Sequence, residues 1–192
     1  MGATPEQLLK VTNHNFETVA LAGTQKKADF IDWSAKEKHE QQVVTDYILE
    51  CLHEEVLTLK VTEPTTVEAG ELVHLKTTIT GNVYSDENIK TILNQLNPTP
   101  AVCGFPKESA LEFILKNENY DREFYTGYLG LWDTTTSTAN LFVNLRCMKI
   151  EDGKSIIYVG CGITADSNPE KEFFETEHKS MTMRNILVTK HF

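Results

Sequence analysis

The segment PEKEFFETEHK, from Pro169 to Lys179, places Glu170, Glu172, Glu175 and Glu177 within eight residues and then adds a lysine. Carboxylates crowded this closely repel one another unless water, a cation or a basic side chain intervenes. Asn168–Pro169 supplies a helix start, and on that helix Glu172, Glu175 and Lys179 fall at i, i+3 and i+7, on one face. A solvated acidic surface explains such a face; so does a hard divalent cation, which prefers oxygen ligands. Two other stretches bear on the choice. In KEKHEQQVV, Glu40 lies four residues from Lys36 and beside an apolar stripe that begins at Val43. In NLRCMKI, Arg146 interrupts an apolar strand, and an inward guanidinium would need an anion, for which a carboxylate has the matching planar fork. Together these residues suggest a pocket where a divalent cation bridges carboxylates and an organic acid meets Arg146 and Lys179. Mg²⁺ suits that arrangement, since it takes one or two protein carboxylates and completes its shell with substrate oxygens and water.

The elements that must position these groups follow from apolar periodicity. EQLLKV and FETVAL read as strands joined by the turn TNHN, and LAGT reads as a small-residue turn. Ser34 caps a helix from Ala35 whose stripe is Val43, Val44, Tyr47, Ile48, Cys51 and Leu52. LTLKVTEPTTVEAGELVHLKTTITG alternates as two strands with a turn at Ala69–Gly70. A helix from Asp86 buries Ile89, Ile92, Leu93 and Leu96 and ends at Pro98; another starts after Pro106. YTGYLGLW, ANLFVNLRCMKI and SIIYVGCGI read as successive strands, turning near Thr135 and Gly153, before the acidic helix, which Phe173 and Phe174 can dock on a core. The expected fold class is α+β with largely antiparallel sheet, residues 1–192 forming a single domain.

Composition narrows the function classes. The chain has 192 residues and a net charge of −10, from 28 acidic against 18 basic side chains. That balance argues against nucleic acid, which needs clustered Lys and Arg. No apolar run reaches the ~20 residues of a membrane span, and the start has no signal-peptide pattern. Cys51, Cys103, Cys147 and Cys161 are widely spaced without a CxxC, as expected of reduced thiols in a cytoplasmic protein.

LNPTPAVCGFPKESALEFILKNENYDREFYTGYLGLW resembles the chorismate-utilising enzymes, as do TPEQLL, ALAGT, SAKEKHEQQVVTDYI, VHLKTTITG, VNLRCMKI and YVGCGITADSNPEKEFFETEHK. The likeness runs from residue 4 to about residue 187 and is nearest to isochorismate synthases, because Ala101 in PTPAVCGFP stands where those enzymes carry alanine. It implies Mg²⁺-dependent isomerisation of chorismate, in which water adds at ring carbon 2 and the carbon 4 hydroxyl leaves. Salicylate synthases and aminating relatives share the metal site and are the alternative, as is a fragment that binds Mg²⁺ and carboxylates without turnover. Either a menaquinone or a siderophore pathway would use isochorismate.

The resemblance implies a role for each matched residue. Glu6 corresponds to the general acid. Glu40 and Glu175 correspond to Mg²⁺ ligands, and Glu172 to a carboxylate that orders the metal's water. Arg146, Tyr125 and Lys179 correspond to carboxylate-binding groups, and Gly160 to a close backbone contact. His74, Ala101, Ala22, Gly23 and Thr24 correspond to pocket-lining positions. The family's general-base lysine lies upstream of the general acid, on a strand for which the five residues before Glu6 leave no room. The chain is therefore expected to be the C-terminal part of a chorismate-binding domain, inactive or nearly so alone and able to self-associate through exposed edges. KEKHEQ stands where the family has KDxxEH, and Asn97 where it has the histidine of HPTP.

Overall fold

A computed structural model describes the whole chain except Ala3, Pro5, Gly70, Glu71, Asp166 and residues 188–192. It comprises nine strands and four helices among the described residues, in the order β1 (Gln7–Thr12), β2 (Asn15–Lys26), α1 (Ala35–Leu52), β3 (Val56–Val61), β4 (Thr65–Ala69), β5 (Leu72–Val83), α2 (Asp86–Leu96), α3 (Lys107–Asn117), β6 (Tyr128–Asp133), β7 (Thr138–Val143), β8 (Cys147–Glu151), β9 (Lys154–Tyr158) and α4 (Pro169–Arg184). The class is α+β, and the β1/β2, β2/β5, β3/β5, β4/β5 and β8/β9 pairings are all antiparallel. Contacts divide the chain into two compact units. One contains Met1–Glu6, Asn97–Leu129 and Phe142–Phe192; the other contains Gln7–Leu96 and Gly130–Leu141.

The second unit rests on a seven-stranded sheet ordered β3-β5-β2-β1-β7-β6, with β4 also paired to β5. Strand alternation sends Val11, Phe16, Ala20, Leu75, Ile79 and Val83 to one face, where they are buried. α1 and α2 cover that face, the latter with all four expected apolar residues. Ser34 makes both bonds of a capping box with Glu37, which fixes the start of α1. The stripe on α1 departs from expectation. Tyr47, Ile48 and Leu52 are buried, but so are Gln41 and Thr45, while Val43, Val44 and Cys51 are only half-buried. Gln41 is satisfied there, because its amide donates to Thr45 and Thr77 hydroxyls at 3.0 and 2.7 Å.

Three strand readings are corrected. LAGT is not a turn: β2 continues to Lys26, and Gly23, at φ +71°, absorbs the register shift between Ala22 and Thr24. The stretch after Leu57 holds three strands rather than two, with β3 and β4 both pairing with β5; the expected turn falls partly on Gly70, outside the described residues. ANLFVNLRCMKI is two strands, broken at Asn144–Arg146. Asn144 causes the break by pairing elsewhere: its N–H donates to Gly127 O at 2.8 Å, its carbonyl accepts from Thr126 N–H at 3.0 Å, and its amide donates to Phe124 O at 2.7 Å. In the first unit, α4 begins at an Asn168 side-chain cap with Pro169 in its first turn. It buries Ser180 and Met183, whereas Phe173 and Phe174, expected to dock it, are each 60 % exposed. All four cysteines are free thiols. No helix among the described residues is long and apolar enough to cross a membrane.

Candidate active site

In the first unit, α4 and the end of β9 bring several sequence-derived candidates together. Lys179 pairs with Glu175 one helical turn away and donates to the Gly160 carbonyl at 3.3 Å. Tyr125 lies over the same backbone, since a Cβ added to Gly160 would stand 2.7 Å from its hydroxyl. A side chain at Gly160 would therefore press on the Tyr125 hydroxyl. Arg146, freed from strand geometry by the Asn144 break, donates to the Thr182 hydroxyl at 3.3 Å, one turn beyond Lys179 on α4. Where the sequence reading expected an anion, the described partner of Arg146 is a hydroxyl on the acidic helix. Cys161 completes the group. Burial, then the negative charges of Glu172 and Glu175, push its thiol pKa up.

Glu6 belongs to this unit, anchored where its carbonyl accepts the Val143 N–H at 2.9 Å. It is half-buried, and burial raises its carboxyl pKa above the ordinary value. A carboxyl that keeps its proton closer to neutrality is what a general acid requires. Burial also pushes the Tyr125 hydroxyl up to about 12, so it stays a hydrogen-bond donor at neutral pH. Ala101 is exposed on the loop before α3.

The second unit groups Gly23, Thr24 and His74. Thr24 and His74 are register partners across β2 and β5, and the His74 Nδ1 lies 3.0 Å from the Thr24 hydroxyl and 3.2 Å from the Gly23 carbonyl. Ala22 pairs with Leu75 beside this group. Glu40 is on the exposed side of α1 and forms the expected ion pair with Lys36, at 3.9 Å. A hollow of about 310 Å³ on the sheet, lined in part by Lys10, Asn15, Glu17, Lys60 and Asn82, includes none of the candidates.

Glu172 and Glu175 are hard oxygen donors one turn apart on α4, the donor chemistry that Mg²⁺ takes. Among the described residues, no three His, Cys, Asp or Glu side chains converge into a ready-made cage. Sequence reasoning missed Arg122, Glu118 and Tyr158, which hold Tyr125 in place. Glu118 and Arg122 are four apart, a visible ion-pair spacing, but they lie past the end of α3, where a helical rule gives no reason to pair them.

The chorismate binding enzyme family profile matches residues 1–188. The isochorismate synthase EntC of Escherichia coli strain K12 is 33 % identical over 97 % of this chain and 50 % of its own length. The isochorismate synthase DhbC of Bacillus subtilis strain 168 is 34 % identical over the full chain and 51 % of its own length. The solved structure of MenF, the menaquinone-specific isochorismate synthase from Escherichia coli, superposes with a TM-score of 0.87 at 29 % identity, covering 97 % of this chain and 45 % of that one. The chain spans about half the length of the curated relatives it matches. With a family match over nearly all its residues, this chain belongs to the chorismate binding enzymes.

Proposed function

We propose that the chain supplies the acidic and substrate-binding part of an isochorismate synthase, which converts chorismate to isochorismate. The grouping of Glu175, Lys179, the Gly160 carbonyl and Tyr125 carries the reading, because it sets a carboxylate, an ammonium and a phenol donor side by side. Lys179 and Arg146 bind the substrate carboxylates, and Tyr125 donates its O–H to one of them. Gly160, without a side chain, lets the substrate reach the backbone. Glu6 gives its proton to the hydroxyl leaving ring carbon 4, as its raised pKa allows. In the first unit Glu175 would hold Mg²⁺, with Glu172 ordering its water; Glu40, on α1 of the second unit, is the other ligand that the resemblance implies. When bound, the cation neutralises the ring carboxylate of chorismate. Ala22, Gly23, Thr24 and His74 in the second unit, and Ala101 in the first, are the pocket-lining positions that the resemblance implies.

Isothermal titration of the chain with chorismate and Mg²⁺ tests the reading. Binding that needs both and weakens in Lys179→Ala supports it, and absence of binding overturns it. In a coupled assay these 192 residues alone should form little or no isochorismate, since activation of water by a general base typically contributes ~10²–10⁴-fold in rate. Turnover at ordinary enzyme rates would refute that part. Leu57, Leu59 and Val61 are exposed on β3, which favours self-association; a monomeric light-scattering mass would count against it.

A further inference from the structure

Arg122 lies in the loop between α3 and β6, outside the set of residues assigned to substrate or metal. Its guanidinium uses its donors in three directions. Nε and Nη2 fork onto both Glu118 oxygens, at 2.7 and 2.5 Å. Nη1 donates to the Val102 carbonyl at 2.9 Å and to the Thr126 hydroxyl at 3.3 Å. The Arg122 carbonyl accepts the Tyr125 N–H at 2.8 Å, and its Cζ stands 5.8 Å from the Tyr125 ring centre. Val102 follows Ala101, and Thr126 follows Tyr125, so one side chain is tied to the immediate neighbours of two candidate pocket residues. The Tyr125 ring also stacks on Tyr158, with centroids 5.6 Å apart.

We propose that Arg122 is a positioning residue: held by Glu118, it fixes the Ala101–Val102 loop relative to Tyr125. It touches no substrate. The two fastenings differ in kind. The fork to Glu118 anchors the guanidinium, whereas the Nη1 bonds to Val102 and Thr126 do the positioning. Lysine can keep the charge opposite Glu118, but it cannot fork onto a carboxylate and reach a carbonyl and a hydroxyl at once. What the pocket binds rests on the function proposed above; the positioning does not.

The test uses the full chain labelled with 3-fluorotyrosine, the Tyr125 ¹⁹F resonance being assigned with Tyr125→Phe. In Arg122→Lys that resonance should shift or broaden, and chorismate affinity with Mg²⁺ should fall about tenfold, the size of one charged hydrogen bond, beyond what its fall in Tm accounts for. In Glu118→Gln, Tm should fall while affinity stays within about threefold, because the Nη1 bonds survive. Affinity that simply tracks Tm through both variants would reduce Arg122 to a structural residue and overturn the proposal. Should the lysine variant not fold, Arg122→Gln is read in the same way. If the unaltered chain binds no chorismate, the proposed function fails, and the ¹⁹F signal still decides: an unmoved Tyr125 resonance in Arg122→Lys sinks the positioning role.

Discussion

α2 and α3 are both eleven residues long, yet α2 buries Ile89, Ile92, Leu93 and Leu96, and α3 buries nothing. On α3, Phe113 and Leu115 are 67 % and 76 % exposed, and Ala110, Leu111 and Ile114 are only half-buried. The two units that contain these helices are fastened differently. The second is held by a two-helix layer on a sheet, and its candidate group, Thr24 and His74, is set by strand register. The first relies more on polar ties: the Arg122 fork, the Asn144 bonds, and Lys149 paired with Glu123 and Glu151 at 3.0 and 3.1 Å. Apolar packing stabilises without dictating chemistry, while polar ties place charges where a ligand can meet them. Of the charged candidates, Glu6, Arg146, Glu172, Glu175 and Lys179 lie in the unit held by polar ties, and Glu40 in the other.

The largest test of this contrast is Leu93→Ala against Leu115→Ala. The first should cost ~2–5 kcal/mol in urea denaturation and the second about 0.5 kcal/mol or less. Equal costs would erase the distinction. Two glycines sharpen it. A Cβ at Gly81 would stand 1.9 Å from the Thr58 carbonyl, a backbone atom that cannot yield; at Gly160 it meets a tyrosine hydroxyl. Gly81→Ala should therefore lose ~1–3 kcal/mol of stability and leave chorismate affinity alone. Gly160→Ala should lose less stability and, by displacing Tyr125, weaken binding. Ser34→Ala removes half of the capping box on α1 and should cost ~1 kcal/mol, visible as a lower Tm.

The smallest effects are slopes with pH, and they oppose each other within one unit. The Arg122 fork holds the Glu118 carboxyl below its ordinary value, about 4.5. Its stabilisation is present above that pH and is lost as pH falls through the lower folded value. Burial raises Glu6 above 4.5, so its contribution is full below that value and is lost as pH rises through the higher folded one. Thermal melts across this window should show Glu118→Gln flattening the acid-side loss and Glu6→Gln flattening the loss toward neutral pH. A common slope change in both variants would contradict the assigned directions.

Elements whose apolar period matched a single buried face were legible in the sequence. The buried stripe of α2, the Ser34 cap and the start of α4 all appear as read. Failures came where the backbone answered to something outside the local pattern. β2 runs through LAGT because β5 offers partners along its whole length, and Gly23 takes the bulge. ANLFVNLRCMKI breaks because Asn144 pairs with the Tyr125 loop, a contact across about twenty residues that no local rule reveals. The i, i+3 and i+7 spacing put Glu172, Glu175 and Lys179 on one face of α4, where Glu175 and Lys179 pair with each other, a contact the sequence reading did not name. Phe173 and Phe174 misled because helix spacing identifies neighbours on a surface but not which side meets a core. Arg122 was invisible for the same reason as Asn144: its partners are chosen by loop geometry.

Cys161 sits beside the acidic face of α4, and its surroundings have a covalent consequence. Thiols react as thiolates, and a raised pKa leaves little thiolate near neutrality. Alkylating reagents and peroxide should therefore attack this sulfur slowly, burial first and the negative charges of the neighbouring helix second keeping it a thiol.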